Sequence, residues 1–192
     1  MHSNCIYKKQ THSNVINIES EKLFREAEDC FLYFNQIRKA TLKLNKALKI
    51  SPNHYKSLIL RGDIYFINGK IKEALSAYKK AGTICPKNIK IAGSIASCLE
   101  IQNNYQEALF YCNKAFSLID RENQQIYASL YELKTNILVK LRKYEEARNL
   151  ISNAKYHLLF EDIKTLKLNC QKIINEKLKI QNKLKMLNLT LV

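Results

Sequence analysis

Shifted by 34 residues, the sequence falls back onto itself. Pro52 lands on Pro86 and then on Asp120, Ala40 on Ala74 and Ala108, and Ala47 on Ala81 and Ala115. Leu44, Tyr78 and Cys112 share one position, and Phe31, Tyr65 and Leu99 another. A unit of this size cannot bury its own apolar face, so a chain built on it must stack its copies side by side. That requirement narrows the choice of fold more than any other feature of the chain.

The copy at 55–88 shows what one unit is. Leu58, Ile64, Tyr65 and Ile67 recur at helical spacing, and Asn68-Gly69 then breaks the run. A second run follows with Ala74, Ala77, Tyr78 and Ala81, closed by Pro86. Ala74 and Ala81 stand seven apart on one helix face, so a neighbouring helix can approach closely there, and Gly62 does the same on the first helix. The unit is a helical hairpin. In the first copy the small slot falls on Glu28, with Ala27 beside it as the substitute, and in the third on Ala96. A fourth copy follows five inserted residues, because Ala108 to Ala147 is 39 rather than 34. Tyr131, Leu138, Tyr144, Ala147, Ile151 and Ala154 carry it. The insert, 123–127, contains no helix breaker and is expected to lengthen the first helix of that copy.

This pattern resembles the tetratricopeptide repeat. In the second copy Leu58, Gly62, Tyr65, Ala74, Tyr78, Ala81 and Pro86 match, and Arg61 departs from the usual Leu. In the third the corresponding residues are Ala92, Ile95, Ala96, Leu99, Ala108, Cys112, Ala115 and Asp120, and in the fourth Lys134 and Thr135 interrupt the Leu-Gly pair. The resemblance implies an all-α, right-handed α-solenoid of about four hairpins, at 21–54, 55–88, 89–122 and 128–160, within a domain at 20–160. A flexible leader is expected over 1–19, with the helix starting at Ser20. Over 161–192, Ile163, Leu166, Cys170, Ile173, Ile180, Leu184, Leu187 and Leu191 alternate spacings of three and four, with Lys177 in one slot. This makes a long basic amphipathic helix with a heptad-like seam. Its first half would cap the last repeat, and its remainder would project, dock on a partner or pair with a second copy as a homo-oligomer.

The resemblance also implies a concave surface, lined by the first helix of each hairpin, that receives a peptide or helix of a protein partner. Its positions fall on Lys22, Arg25, Asp29 and Leu32 in the first copy, and on Lys56, Ile59, Leu60, Asp63, Phe66 and Ile67 in the second. The third contributes Lys90, Ser94, Ser97 and Ile101, and the fourth Glu132, Leu133, Asn136 and Val139. Ile59, Leu60, Phe66 and Ile67 are apolar where stacking does not demand it. They read either as a binding strip flanked by Lys56, Asp63 and Lys90, or as packing for the leader or the last helix. Some members of the family clamp a terminal carboxylate. At those places this chain has Arg25, Asp29, Leu60, Lys90 and Ser94, of which only two are cationic, so that use is not expected.

Composition agrees with helices: 46% of residues are apolar, while the 192 residues include only four Gly and two Pro. The net charge of +15 raises the alternative of a helical-repeat RNA binder. The charge is dispersed, however. Residues 87–120 are neutral, and most cations are Lys rather than the Arg that suits bidentate phosphate contacts. Six Cys, at 5, 30, 85, 98, 112 and 170, form no C-x-x-C pair. They read as reduced, packed thiols in a cytoplasmic setting. No apolar run of about 18 residues marks a transmembrane segment.

Chemistry is sparse. His2, His12, His54 and His157 have no metal-binding spacing, and Gly62, Gly69, Gly82 and Gly93 form no phosphate-cradling loop. Glu145-Glu146 and Glu26, Glu28 and Asp29 read as solvated helix charges. The expectation is a non-catalytic adaptor, scaffold or chaperone-like module, with no cofactor and no metal.

Overall fold

One backbone device recurs with the same step as the sequence. Asn35, Gly69 and Asn103 all take positive φ, at 49°, 71° and 59°. Arg142, displaced by the five-residue insert, takes φ 60°. Each sits in the turn between the two helices of a hairpin. Gly and Asn enter this left-handed region at least cost, which is why they occupy it in three of the four turns. In the second and fourth turns the same two bonds close the helix: Gly69 and Lys70 donate to the carbonyls of Phe66 and Tyr65, as Arg142 and Lys143 do to those of Val139 and Leu138. This is the Schellman arrangement.

The structure is a computed structural model that describes residues 17–119, 124–154 and 160–189; among the described residues all regular structure is α-helical. In chain order the helices are α1 (Ile18–Leu32), α2 (Ile37–Ile50), α3 (Tyr55–Ile67), α4 (Ile71–Ile84), α5 (Ile89–Ile101), α6 (Tyr105–Phe116), α7 (Gln124–Lys140), α8 (Tyr144–Ala154) and α9 (Phe160–Leu189). They fall into two compact units, residues 1–102 with α1 to α5 and residues 103–192 with α6 to α9. The division comes inside the third 34-residue copy, between its two helices.

Most of the leader lies outside the described residues. At its end Asn17 already caps α1, its Oδ1 accepting from the N–H groups of Glu19 and Ser20 at 2.9 and 3.4 Å. The helix therefore begins ahead of the expected Ser20, whose hydroxyl instead donates to the Asn17 carbonyl at 2.8 Å.

In the first unit α1 packs on α2, α3 on α4, and α4 on α5, with α2 and α1 also meeting α3. The alanines explain the closeness: Ala40, Ala47, Ala74 and Ala81 are wholly buried. Phe24, Ala27, Ala40, Leu44, Leu60 and Ile64 form one apolar cluster across α1, α2 and α3. Ala27, rather than the half-exposed Glu28, fills the small slot of the first copy. At the second small slot, Gly62 lets the Tyr78 ring lie against α3; a Cβ there would sit 2.5 Å from the ring.

In the second unit α7 meets α6 and α8, and α9 lies against α7 and α8. Its buried apolar positions include Ala108, Cys112 and Ala115 of α6, Leu130, Tyr131, Ile137 and Leu138 of α7, and Ala147 and Ile151 of α8, joined from α9 by Ile174. Elsewhere on α9 Leu178 is half-buried, and Leu168, Ile180, Leu184, Met186 and Leu187 are exposed. At 17 residues α7 is longer than α3 and α5, each of 13. Among the described residues no helix is long and apolar enough to cross a membrane.

Candidate functional site

The face expected to receive a partner is built, in the first unit, from α1, α3 and α5. Its polar centre is Asp63. One carboxylate oxygen accepts from the Tyr78 hydroxyl at 2.7 Å, and the other from Lys90 Nζ at 2.9 Å. The Ser94 hydroxyl acts on the Tyr78 hydroxyl in the opposite sense to Asp63, favouring loss of its proton. Tyr78 belongs to α4, and its ring passes through the gap left by Gly62 to reach this face. Burial first, and then the Asp63 charge beside it, push the Tyr78 hydroxyl above its ordinary range, so it stays protonated and donates. Asp63 of α3, Tyr78 of α4 and Lys90 of α5 are thereby tied into one network.

A second network lies at the start of α3. Glu21 of α1 accepts from Lys56 Nζ at 3.0 Å and from His54 Nε2 at 2.9 Å, while His54 Nδ1 lies 2.7 Å from Ser57 Oγ. His54 also meets the Phe24 ring edge-on, with Lys56 Nζ 5.8 Å from the centre of that ring. Burial alone would raise the Glu21 carboxyl, but hydrogen bonds from Lys56 and His54, and their charges, outweigh it and hold the group below its ordinary value. Sequence reading set His54 aside as lacking metal spacing. Its role as a bridge between copies depends on Glu21, 33 residues earlier, and no local pattern signals that.

The expected site residues separate into three groups. Lys56, Asp63, Lys90 and Ser94 come together on the first unit, but as partners of the chain's own groups. Ile59 and Leu60 are buried, Leu60 within the cluster of Phe24, Ala27, Ala40, Leu44 and Ile64. These two therefore pack inside the unit instead of offering an exposed strip; α1 and α2 cover the Leu60 side of α3. Phe66 is half-buried, and Ile67 and Ile101 are exposed, at 63% and 47%. Ser97 is half-buried and donates to the Gly93 carbonyl at 3.1 Å. Leu133 and Asn136 belong to α7 of the second unit, half-buried and exposed respectively.

One residue of this face escaped the sequence reading. Tyr33, 76% exposed, stands 34 residues before Ile67, which stands 34 before Ile101. The three occupy one repeat position at the end of α1, α3 and α5. The offset alone could have found Tyr33. The places that could clamp a terminal carboxylate are otherwise engaged: Arg25 pairs with Glu21 at 3.5 Å, Lys90 with Asp63, and Leu60 is buried. Among the described residues no group of three or more His, Cys, Asp or Glu could hold a metal ion. Burial pushes the Cys98 thiol up to about 11, as expected of a packed thiol rather than a nucleophile.

Comparison with known proteins agrees with the repeat. Residues 34–115 match the family described as anaphase-promoting complex, cyclosome, subunit 3. Among solved structures, pilF of Pseudomonas aeruginosa superposes with a TM-score of 0.64 at 15% identity, covering 83% of this chain and 73% of that one. A MamA structure gives 0.61 at 17% identity, covering 83% and 96%. The fold is that of a tetratricopeptide-repeat solenoid. The chain is also similar to DnaJ homolog subfamily C member 7 homolog of Schizosaccharomyces pombe, 24% identical over 136 residues, and to BBSome complex member BBS4 of Bos taurus, 25% identical over 118. The matches cover 65% and 60% of this chain but only 28% and 22% of those relatives, so it spans about a quarter of their length.

Proposed function

We propose that this tetratricopeptide-repeat chain is a non-catalytic interaction module that holds an extended or helical segment of a protein partner against the α1–α3–α5 face. The observation that carries the reading is the recurrence of Tyr33, Ile67 and Ile101, apolar and exposed at a single repeat position. Leu32 and the half-buried Phe66 widen the same strip. Exposed apolar side chains in register across successive copies offer a partner a continuous line of anchors, which is where affinity concentrates in such interfaces. The Asp63 network would contribute register rather than affinity, since its charges are already matched. An RNA-binding reading has less support, because three of the four cations expected on this face of the first unit, Arg25, Lys56 and Lys90, are paired with carboxylates of the chain itself.

The test is affinity capture with the full chain and with an Ile67→Asp/Ile101→Asp variant. Both residues are exposed, so helix content and melting should match the wild type. Proteins held by the wild type and lost by the variant support the reading. An identical captured set, or recovery dominated by RNA that washes away as salt rises, overturns it.

A further inference from the structure

Position 61 is where the second copy breaks with its neighbours. The equivalent residues of the first and third copies are Ala27 and Ile95, and both are buried. In the second copy an arginine stands in that slot. Its Nε is buried and has no hydrogen-bond partner, and among the described residues the side chain makes no ion pair. The fourth copy shows how a cation in this slot can be accommodated. There Lys134 lies 4.4 Å from the centre of the Phe116 ring. Among the described residues no ring serves Arg61 in this way.

Arg61 opens into a cleft between α3 and α4 of about 410 Å³, lined by Arg61, Tyr65, Lys72, Glu73, Ser76, Ala77 and Lys80. Three cations face one carboxylate there. Lys72, Ser76 and Lys80 recur every four residues, and so share one stripe of α4. Arg61 is about 200° around α3 from Asp63 at 3.6 residues per turn, so the cleft lies on the opposite side of that helix from the proposed partner face.

We propose that this cleft is a binding site for a phosphate-class oxyanion, with the Arg61 guanidinium edge as its bidentate donor and Lys72 and Lys80 as the neutralising charges. The planar fork of arginine matches two oxygens of a phosphate group through its Nη nitrogens. The cleft's net charge of +2 matches a phosphate dianion, and the Ser76 and Tyr65 hydroxyls stand by as neutral donors. Its volume admits the phosphate together with the carbon stem that carries it. This site is separate from the partner face and stands whether or not that face binds a protein.

The test is calorimetric titration of the full chain with inorganic phosphate, with a short phosphoserine peptide and with the unphosphorylated twin. Saturable binding of phosphate, or of the phosphopeptide but not its twin, is expected. The first result identifies a small soluble anion as sufficient, and the second a phosphorylated side chain. Arg61→Leu restores the residue type usual at this position, so it should keep the melting temperature and weaken binding at least tenfold. Arg61→Lys should weaken it by less. Lys72→Glu/Lys80→Glu alters only exposed side chains and should also lose binding. No saturable binding of either phosphate probe overturns the proposal, as does equal affinity in Arg61→Leu or equal binding of the twin.

Discussion

Adding one methyl group to Gly62 should cost this protein about 3 kcal/mol, because the Tyr78 ring already fills the space it would need. An alanine Cβ would stand 2.5, 2.8 and 2.9 Å from three ring carbons of Tyr78. Carbon atoms rest at roughly 3.5–4 Å, so the ring must retreat by about 1 Å. Tyr78 is 2% exposed and has no empty space to enter. Overpacking of this kind costs about 1–3 kcal/mol. The same movement stretches the 2.7 Å bond from the Tyr78 hydroxyl to Asp63. A bond to a charged acceptor is worth about 1.5–3 kcal/mol, while alanine's better helix propensity returns about 1 kcal/mol. Urea unfolding with an unchanged slope measures the net. The decisive comparison is the same substitution in a Tyr78→Leu background, where the ring is gone. There Gly62→Ala should be neutral or stabilising by up to about 1 kcal/mol. The reasoning fails if Gly62→Ala costs less than about 0.5 kcal/mol in the wild type, or costs the same in both backgrounds.

Two further outcomes are expected. Glu21 is held below its ordinary value of 4.5, so its contribution is present above that pH and is lost as pH falls through the folded value. Glu21→Gln should therefore cost on the order of 1.5 kcal/mol at neutral pH and flatten the acid limb of stability followed by circular dichroism. An acid limb as steep as the wild type's would count against the His54–Glu21–Lys56 network. Arg142 holds φ 60°, where its Cβ is crowded, so Arg142→Gly should raise the urea midpoint by about 1 kcal/mol equivalent. The same change at Asn35 or Asn103 should give less, because Asn tolerates that conformation better; equal gains at all three would refute the strain argument.

Much of the fold was legible because its signals are local or periodic. The 34-residue step, the alanines at 40, 47, 74 and 81, and the Asn68-Gly69 break together specify paired helices and where they turn. The site was legible only as a set of positions. A helix-face argument put Ile59 and Leu60 with Ile67, yet the first two are buried and the third is exposed. Helical spacing gives a residue's angle around its own axis, whereas burial depends on which neighbouring helix covers that angle.

From sequence alone came the repeat, the helical hairpin and the resemblance to the tetratricopeptide repeat, since these rest on spacing along one chain. Tertiary structure alone decided that Lys56 and Lys90 are matched by Glu21 and Asp63, and that Tyr78 crosses at Gly62 to reach Asp63. It also decided that Arg61 is left without a partner beside Lys72 and Lys80. Each of these is an encounter between side chains on different helices, set by how closely the copies approach, and a repeat pattern does not encode that distance.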